Sequence, residues 1–206
     1  MSNGMDWQES DYLVRLYFTI AWLLIAVQAA PAADIAHESA QHGDIEVSVS
    51  LDAAEQSGSA SASVRIHASR EVIWSLITSC AEALHLVPGL VACEVIETAP
   101  DRSWQRIRHV MDYSWYAPKL TYDIRASYDR PSRVSIERVS GDLRILRGSW
   151  ALQSDGEETL AHYAVDLAPG FWVPRWIVRS ALRRDLPKML RALRTRAEFL
   201  QKQKPG

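Results

Sequence analysis

Residues 174–200 read PRWIVRSALRRDLPKMLRALRTRAEFL, and this stretch decides the architecture. Val178, Leu182, Leu186, Met189, Leu193, Ala197 and Leu200 recur at steps of four, four, three, four, four and three. That spacing predicts one amphipathic helix of about six turns with a continuous apolar stripe. Pro174 sits where a helix favourably begins. Pro187 interrupts the stripe, because it lacks an N–H and its ring crowds the carbonyl four residues back. A kink is expected there, or a break re-capped by Asp185.

Ahead of this helix the pattern has period two. Ile45, Val47, Val49 and Leu51 alternate with Glu46, Ser48, Ser50 and Asp52, which predicts a half-buried strand from Asp44. Gln56-Ser57-Gly58 turns the chain into a second strand, Ala60 to His67. Ser69 then stands as an N-cap for a helix to about Ser79, and a shorter helical turn over Ala81–Leu86 ends at Pro88-Gly89. Six strands follow, about Leu90–Glu97, Arg102–Asp112, Lys119–Tyr128, Arg133–Val139, Leu143–Gln153 and Glu158–Leu167. Their short polar turns imply an antiparallel meander. The predicted class is α+β: a curved antiparallel sheet wrapped around the long C-terminal helix, with one short helix pair after the first hairpin. The stripe must bury itself on the sheet's concave face, and a pocket remains where the two do not touch.

The order of elements and three stretches resemble the helix-grip (START-like, SRPBCC) superfamily. The stretches are Val64 to Val95, Ser140 to Leu152 and Leu167 to Leu193. Within it the chain is most similar to the polyketide cyclase/dehydrase and coenzyme Q-binding START-like group. Cys80 departs from the family pattern, standing near a place where an acidic or aromatic residue is common. The resemblance implies a hydrophobic cavity between sheet and helix that holds a lipid, quinone, sterol or polyketide-like molecule.

The chain has 206 residues, 48 % of them apolar and 23 % charged, which excludes a disordered chain and a polytopic membrane protein. Leu16–Val27 (LYFTIAWLLIAV) follows Arg15 and precedes Ala30-Pro31-Ala32, the pattern of a cleaved signal peptide over residues 1–32. Asp6, Glu9 and Asp11 fit that pattern poorly, so either the true start lies near Leu13 or the segment is an uncleaved anchor. Residues 33–43 read as a linker, and residues 44–203 as the ligand-binding domain. The expected location is outside the cytoplasm, in the periplasm or at its membrane surface.

In a meander, successive loops lie at opposite ends. One end therefore gathers Val87–Gly89, Asp112–Pro118, Ser140–Asp142 and Ala168–Pro174. It carries Trp115, Tyr116, Phe171 and Trp172, with Trp176 just inside the helix. These rings either plug the end of the sheet or form a cavity gate that docks on a membrane. The net charge of −2 conceals polarity: residues 173–206 sum to +8 and residues 33–172 to −8. Arg175, Arg179 and Arg183 are candidates for contact with anionic lipid; the alternative is a solvated face paired with the acidic body. Near-neutrality argues against nucleic acid as a partner.

Candidate ligand contacts are thus Trp115, Tyr116, Phe171, Trp172 and Trp176 at the mouth, with Val178, Leu182, Leu186 and Met189 on the stripe. Tyr122 and Tyr163 are candidates to hydrogen-bond a ligand oxygen, though core packing explains them as well. Cys80 and Cys93 flank one short helix and turn. In an exported protein they oxidise if their Cα atoms come within about 4.4–6.8 Å, and otherwise stay as two thiols. Apart from the His37/His42 tract, no metal-ligand spacing is present in the sequence, nor any catalytic residue set or cofactor fingerprint, so no metal, cofactor or catalytic residue is assigned. A non-catalytic binder or carrier of a hydrophobic molecule is the leading reading. A polyketide cyclase/dehydratase-type enzyme and a periplasmic protein-interaction module are the alternatives.

Overall fold

The computed structural model describes residues 36–42, 45–52, 56–113 and 118–203. The signal-peptide and anchor readings, and the mouth residues Trp115 and Tyr116, lie outside these residues.

Among the described residues, nine strands form one antiparallel sheet: β1 (Ala36–His42), β2 (Ile45–Asp52), β3 (Ser57–Ile66), β4 (Leu90–Thr98), β5 (Trp104–Met111), β6 (Leu120–Asp129), β7 (Arg133–Gly141), β8 (Leu143–Asp155) and β9 (Glu158–Pro169). Their order across the sheet is β1-β2-β3-β9-β8-β7-β6-β5-β4. Two helices, α1 (Arg70–Ile77) and α2 (Cys80–Leu86), carry the chain from β3 to the far edge at β4. From there the meander returns strand by strand to β3. The β1 strand falls in the stretch expected to be a linker, where there is no apolar alternation to read. An edge strand needs only backbone pairing, here in register from Ala36↔Leu51 to His42↔Ile45.

The alternation of β2 is realised fully: Ile45, Val47, Val49 and Leu51 are all buried. The C-terminal helix runs as α3 (Arg175–Ser180), a π-turn (Ala181–Asp185) and α4 (Leu186–Gln203). Pro187 accounts for the π-turn. It offers no N–H to the carbonyl of Arg183, and widening the preceding turn relieves the clash without breaking the helix. The re-cap expected of Asp185 is therefore absent; the backbone at the start of α4 stays helical, and Asp185 is buried instead. Of the apolar stripe, Val178, Leu182, Leu186, Leu193 and Ala197 are buried and Met189 and Leu200 are half-buried, with Leu190 added at 0 % exposure.

Candidate ligand cavity

The C-terminal helix meets the sheet on one side only. It packs on β2 and β3, and on α1 and α2. β3 offers the small residues Gly58, Ala60 and Ala62 to this contact. A Cβ at Gly58 would stand 2.7 Å from Leu182 Cδ1 and 3.2 Å from Val178 Cγ1, so glycine lets these side chains sit close to the strand and a larger residue would make them shift. Further across the sheet the inner face bears large rings: Tyr163 on β9, Trp150 on β8, and Tyr122 and Tyr128 on β6. Small residues draw the helix in at one side, large ones hold it off at the other, and an apolar cavity opens between.

The cavity has two compartments. The inner one, about 160 Å³, is bounded by Leu76, Cys80, Ile107, Ile124, Trp150 and Leu193 among others. The outer one, about 210 Å³, is bounded by Pro88, Tyr113, Leu143, Phe171, Val178, Leu182 and Leu186. Val87, Tyr122, Leu146, Tyr163 and Met189 line both and form the wall they share.

Few polar groups reach this space. His109 lies edge-on to Tyr122, with ring centroids 5.5 Å apart, and Tyr163 packs against Trp150 at 4.5 Å. Among the described residues, no hydrogen-bond partner meets the His109 ring or the hydroxyls of Tyr122 and Tyr163. Burial pushes His109 down to about 4, so its ring is neutral at pH 7. Burial likewise pushes Tyr163 up to about 12 and raises Tyr122, whose neighbours Tyr163 and Tyr113 add to the shift. Tyr128 is different, because its hydroxyl donates to Gln105 Oε1 at 2.8 Å.

The stripe residues Val178, Leu182, Leu186 and Met189 all line the outer compartment, as do Tyr122 and Tyr163. Phe171 lines it too, while remaining 37 % exposed. Trp172 and Trp176 are 72 % and 62 % exposed, so these two rings are not a plug. Trp172 lines neither compartment, and Trp176 borders a separate cleft with Tyr113, Ser180 and Arg184. Arg175 and Arg179 are exposed beside them, whereas Arg183 is half-buried.

Cys80 and Cys93 form a disulfide, with Cα atoms 5.3 Å apart, that ties α2 to β4 in the wall of the inner compartment. The strand arginines Arg106, Arg108 and Arg138 line neither compartment. On the sheet's outer face Asp123 Oδ1 accepts from Arg108 Nε at 2.9 Å, and Oδ2 accepts from Arg106 Nη2 at 2.7 Å and Ser140 Oγ at 3.3 Å. Arg108 and Arg106 thereby hold the Asp123 carboxyl down to about 2, against the opposing effect of its burial. Arg138 donates to the carbonyls of Gly141 and Leu143.

Sequence reasoning missed Leu146, Ile107, Ile124, Trp150 and Asp185 as cavity residues. Asp185 was legible in principle: the steps from Leu182 to Asp185 and on to Met189 are three and four, which puts a carboxylate on the apolar stripe. Among the described residues, no group of three or more His, Cys, Asp or Glu side chains is placed to hold a metal ion. Nor is any helix among them long and apolar enough to cross a membrane.

The family model described as polyketide cyclase / dehydrase and lipid transport matches residues 66–194. None of the curated proteins matches the chain in sequence. Among solved structures, the chain is similar to a STAR-related lipid transfer protein fragment from Xanthomonas axonopodis. They share 18 % identity, with 77 % of this chain and 97 % of that one covered and a TM-score of 0.64. An aromatase/cyclase from a Streptomyces species shares 17 % identity, with coverages of 69 % and 94 % and a TM-score of 0.59. A human lipid transfer and protein localization domain shares 11 %, with coverages of 95 % and 98 % and a TM-score of 0.62. At these identities the likeness is one of fold: the START-like helix grip.

Proposed function

The chain belongs to the polyketide cyclase/dehydrase and lipid transport family, and from that premise we propose that it binds and carries a hydrophobic small molecule, a lipid, quinone or sterol-like compound, in the cavity between sheet and helix. The observation that carries this reading is the pair of apolar compartments sharing Tyr122, Leu146, Tyr163 and Met189. Sites for small molecules are typically concave and apolar with a few polar groups to orient the ligand. The three unpartnered polar side chains on its wall suit a ligand with one or two oxygens.

Carriage at a membrane is the second element of the proposal. Trp172 and Trp176 stand exposed beside Arg175 and Arg179, at the end where Phe171 borders the outer compartment. Tryptophan favours the headgroup level, and each basic residue near an anionic surface contributes on the order of 1 kcal/mol. The occupant proposed for this patch is an anionic lipid bilayer. The N-terminal pattern and the disulfide support a site of action outside the cytoplasm.

Enzymatic cyclisation or dehydration is the weaker reading. Its acid–base group in the cavity would be His109, but an imidazole held near 4 is a feeble base at pH 7, and the raised tyrosines are feeble acids.

Organic extraction of the purified full chain, followed by mass spectrometry, tests the binding reading; a stoichiometric apolar compound is expected, and none recovered or rebound would overturn it. Trp172→Ser with Trp176→Ser should lower binding to vesicles containing anionic lipid by about tenfold. Undiminished vesicle binding would remove the membrane element alone.

A further inference from the structure

Asp185 is 8 % exposed and sits in the π-turn, between Leu182 and Leu186 on the apolar stripe. It lines the outer compartment and also the adjoining cleft bordered by Tyr113, Trp176 and Ser180. Its Oδ1 accepts from Arg184 Nε at 3.0 Å. Its Oδ2 is buried and has no hydrogen-bond partner among the described residues. A buried acceptor left unpaired is costly, and an apolar stripe is a poor place to keep one without use.

We infer that Asp185 is the head-group anchor of the cavity, its free Oδ2 accepting a hydrogen bond from the hydroxyl of an amphipathic alcohol. This rests on the cavity reading above and names the chemical class of its ligand. The class follows from what a carboxylate does. It accepts only, so the ligand must donate. A carboxylate head would set lone pairs against lone pairs. An ammonium head would meet a charge already answered by Arg184, on a helix segment that also bears Arg175, Arg179 and Arg183. A neutral hydroxyl avoids both penalties. Its apolar body then extends inward past Met189 and Leu146 toward Tyr163, the residues common to the two compartments.

The test uses the purified full chain loaded with the fluorescent probe N-phenyl-1-naphthylamine and challenged with dodecanol, dodecanoic acid or dodecylamine. Dodecanol should displace the probe at about a tenth of the concentration needed for the other two. Asp185→Asn should bring the three within about threefold, because the amide donates to a carboxylate and carries no charge. Asp185→Leu, which only extends the apolar stripe, should do the same, and urea unfolding midpoints report that each variant is folded. Equal displacement by all three compounds in the parent protein, or a tenfold alcohol preference surviving in both variants, would overturn the anchor while leaving the cavity reading in place. Failure of every compound to displace the probe, or of the probe to bind, would overturn the cavity reading and the anchor with it.

Discussion

Replacing Cys80 and Cys93 together by alanine should cost about 3 kcal/mol of stability, and the loss should begin at α2. The two cysteines are 13 residues apart in sequence, with Cα atoms 5.3 Å apart. Closing a loop of that size removes roughly 10 cal/mol/K from the unfolded chain, about 3 kcal/mol at 25 °C on the chain-entropy account. The native state adds a local reason. α2 buries only Leu86, and its Leu84 is 41 % exposed, so little apolar area holds the helix in place. Its other tethers are the cap from Ser79 to the Glu82 N–H at 3.4 Å and the ion pair of Glu82 with Arg196 at 2.9 Å. An ion pair with a half-exposed arginine contributes about 1 kcal/mol at most. The assay is urea unfolding followed by tryptophan fluorescence, on the oxidised protein, the protein in reductant and the double variant. With a slope of about 2 kcal/mol/M, the midpoint should fall by about 1.5 M in the last two. Alanine introduces no unpaired hydroxyl into the cavity wall, so the comparison isolates the cross-link. Hydrogen exchange should show protection lost first over Cys80–Leu86, with β8 and β9 unaffected. A midpoint shift below about 0.3 M with unchanged slope would refute the reasoning, as would equal loss of protection throughout the sheet.

Three further outcomes follow from the geometry. Leu146→Trp, at the wall shared by both compartments, should reduce recovered or rebound ligand at least tenfold; because the ring enters empty space, the stability change should stay under about 1.5 kcal/mol. Asp123 is held to about 2 by Arg108 and Arg106, below an ordinary carboxyl, so its contribution is full above about pH 4 and disappears as pH falls through about 2. Screening by solvent around the half-exposed arginines limits it to on the order of 1 kcal/mol, and Asp123→Asn should flatten the urea midpoint between pH 4 and 2. Gly141 has φ +101°, and a Cβ there would strike the Thr121 carbonyl and stand 2.5 Å from Tyr122 Cα, whereas Gly156, at φ +64°, has nothing within 4 Å. Gly141→Ala should therefore cost more than about 3 kcal/mol and Gly156→Ala about 1 kcal/mol, a difference read directly from the two thermal unfolding curves.

Much of the scaffold was legible from local pattern. The alternation of Ile45, Val47, Val49 and Leu51 placed one face inward, and the stripe from Val178 to Leu200 placed the helix against it. Loop parity gathered Phe171 and Trp172 at the end where Tyr113 and Pro88 also lie. The cysteine spacing kept a disulfide in view, and the structure closes it. Individual side chains were less legible. Alternation assigns Asp123 to the polar face, yet it is 2 % exposed, because the β5–β6 register brings Arg106 and Arg108 over it. Trp74 and Trp150 are buried while Trp172 and Trp176 are not, and residue type alone does not separate them.

The sequence by itself determined the order of strands and helices from β2 onward, the buried faces of β2 and of the C-terminal helix, and the polarity that sets an acidic body against a basic final helix. These are properties of period and composition, which neighbouring residues set between themselves. Only the tertiary structure decided where the cavity opens and that Asp185 borders it. A gap between helix and sheet is fixed by the sizes of side chains that meet from distant strands: Gly58, Ala60 and Ala62 letting the helix close on one side, and Tyr122, Trp150 and Tyr163 holding it off on the other. No local period records that difference, because it exists only once those strands lie side by side.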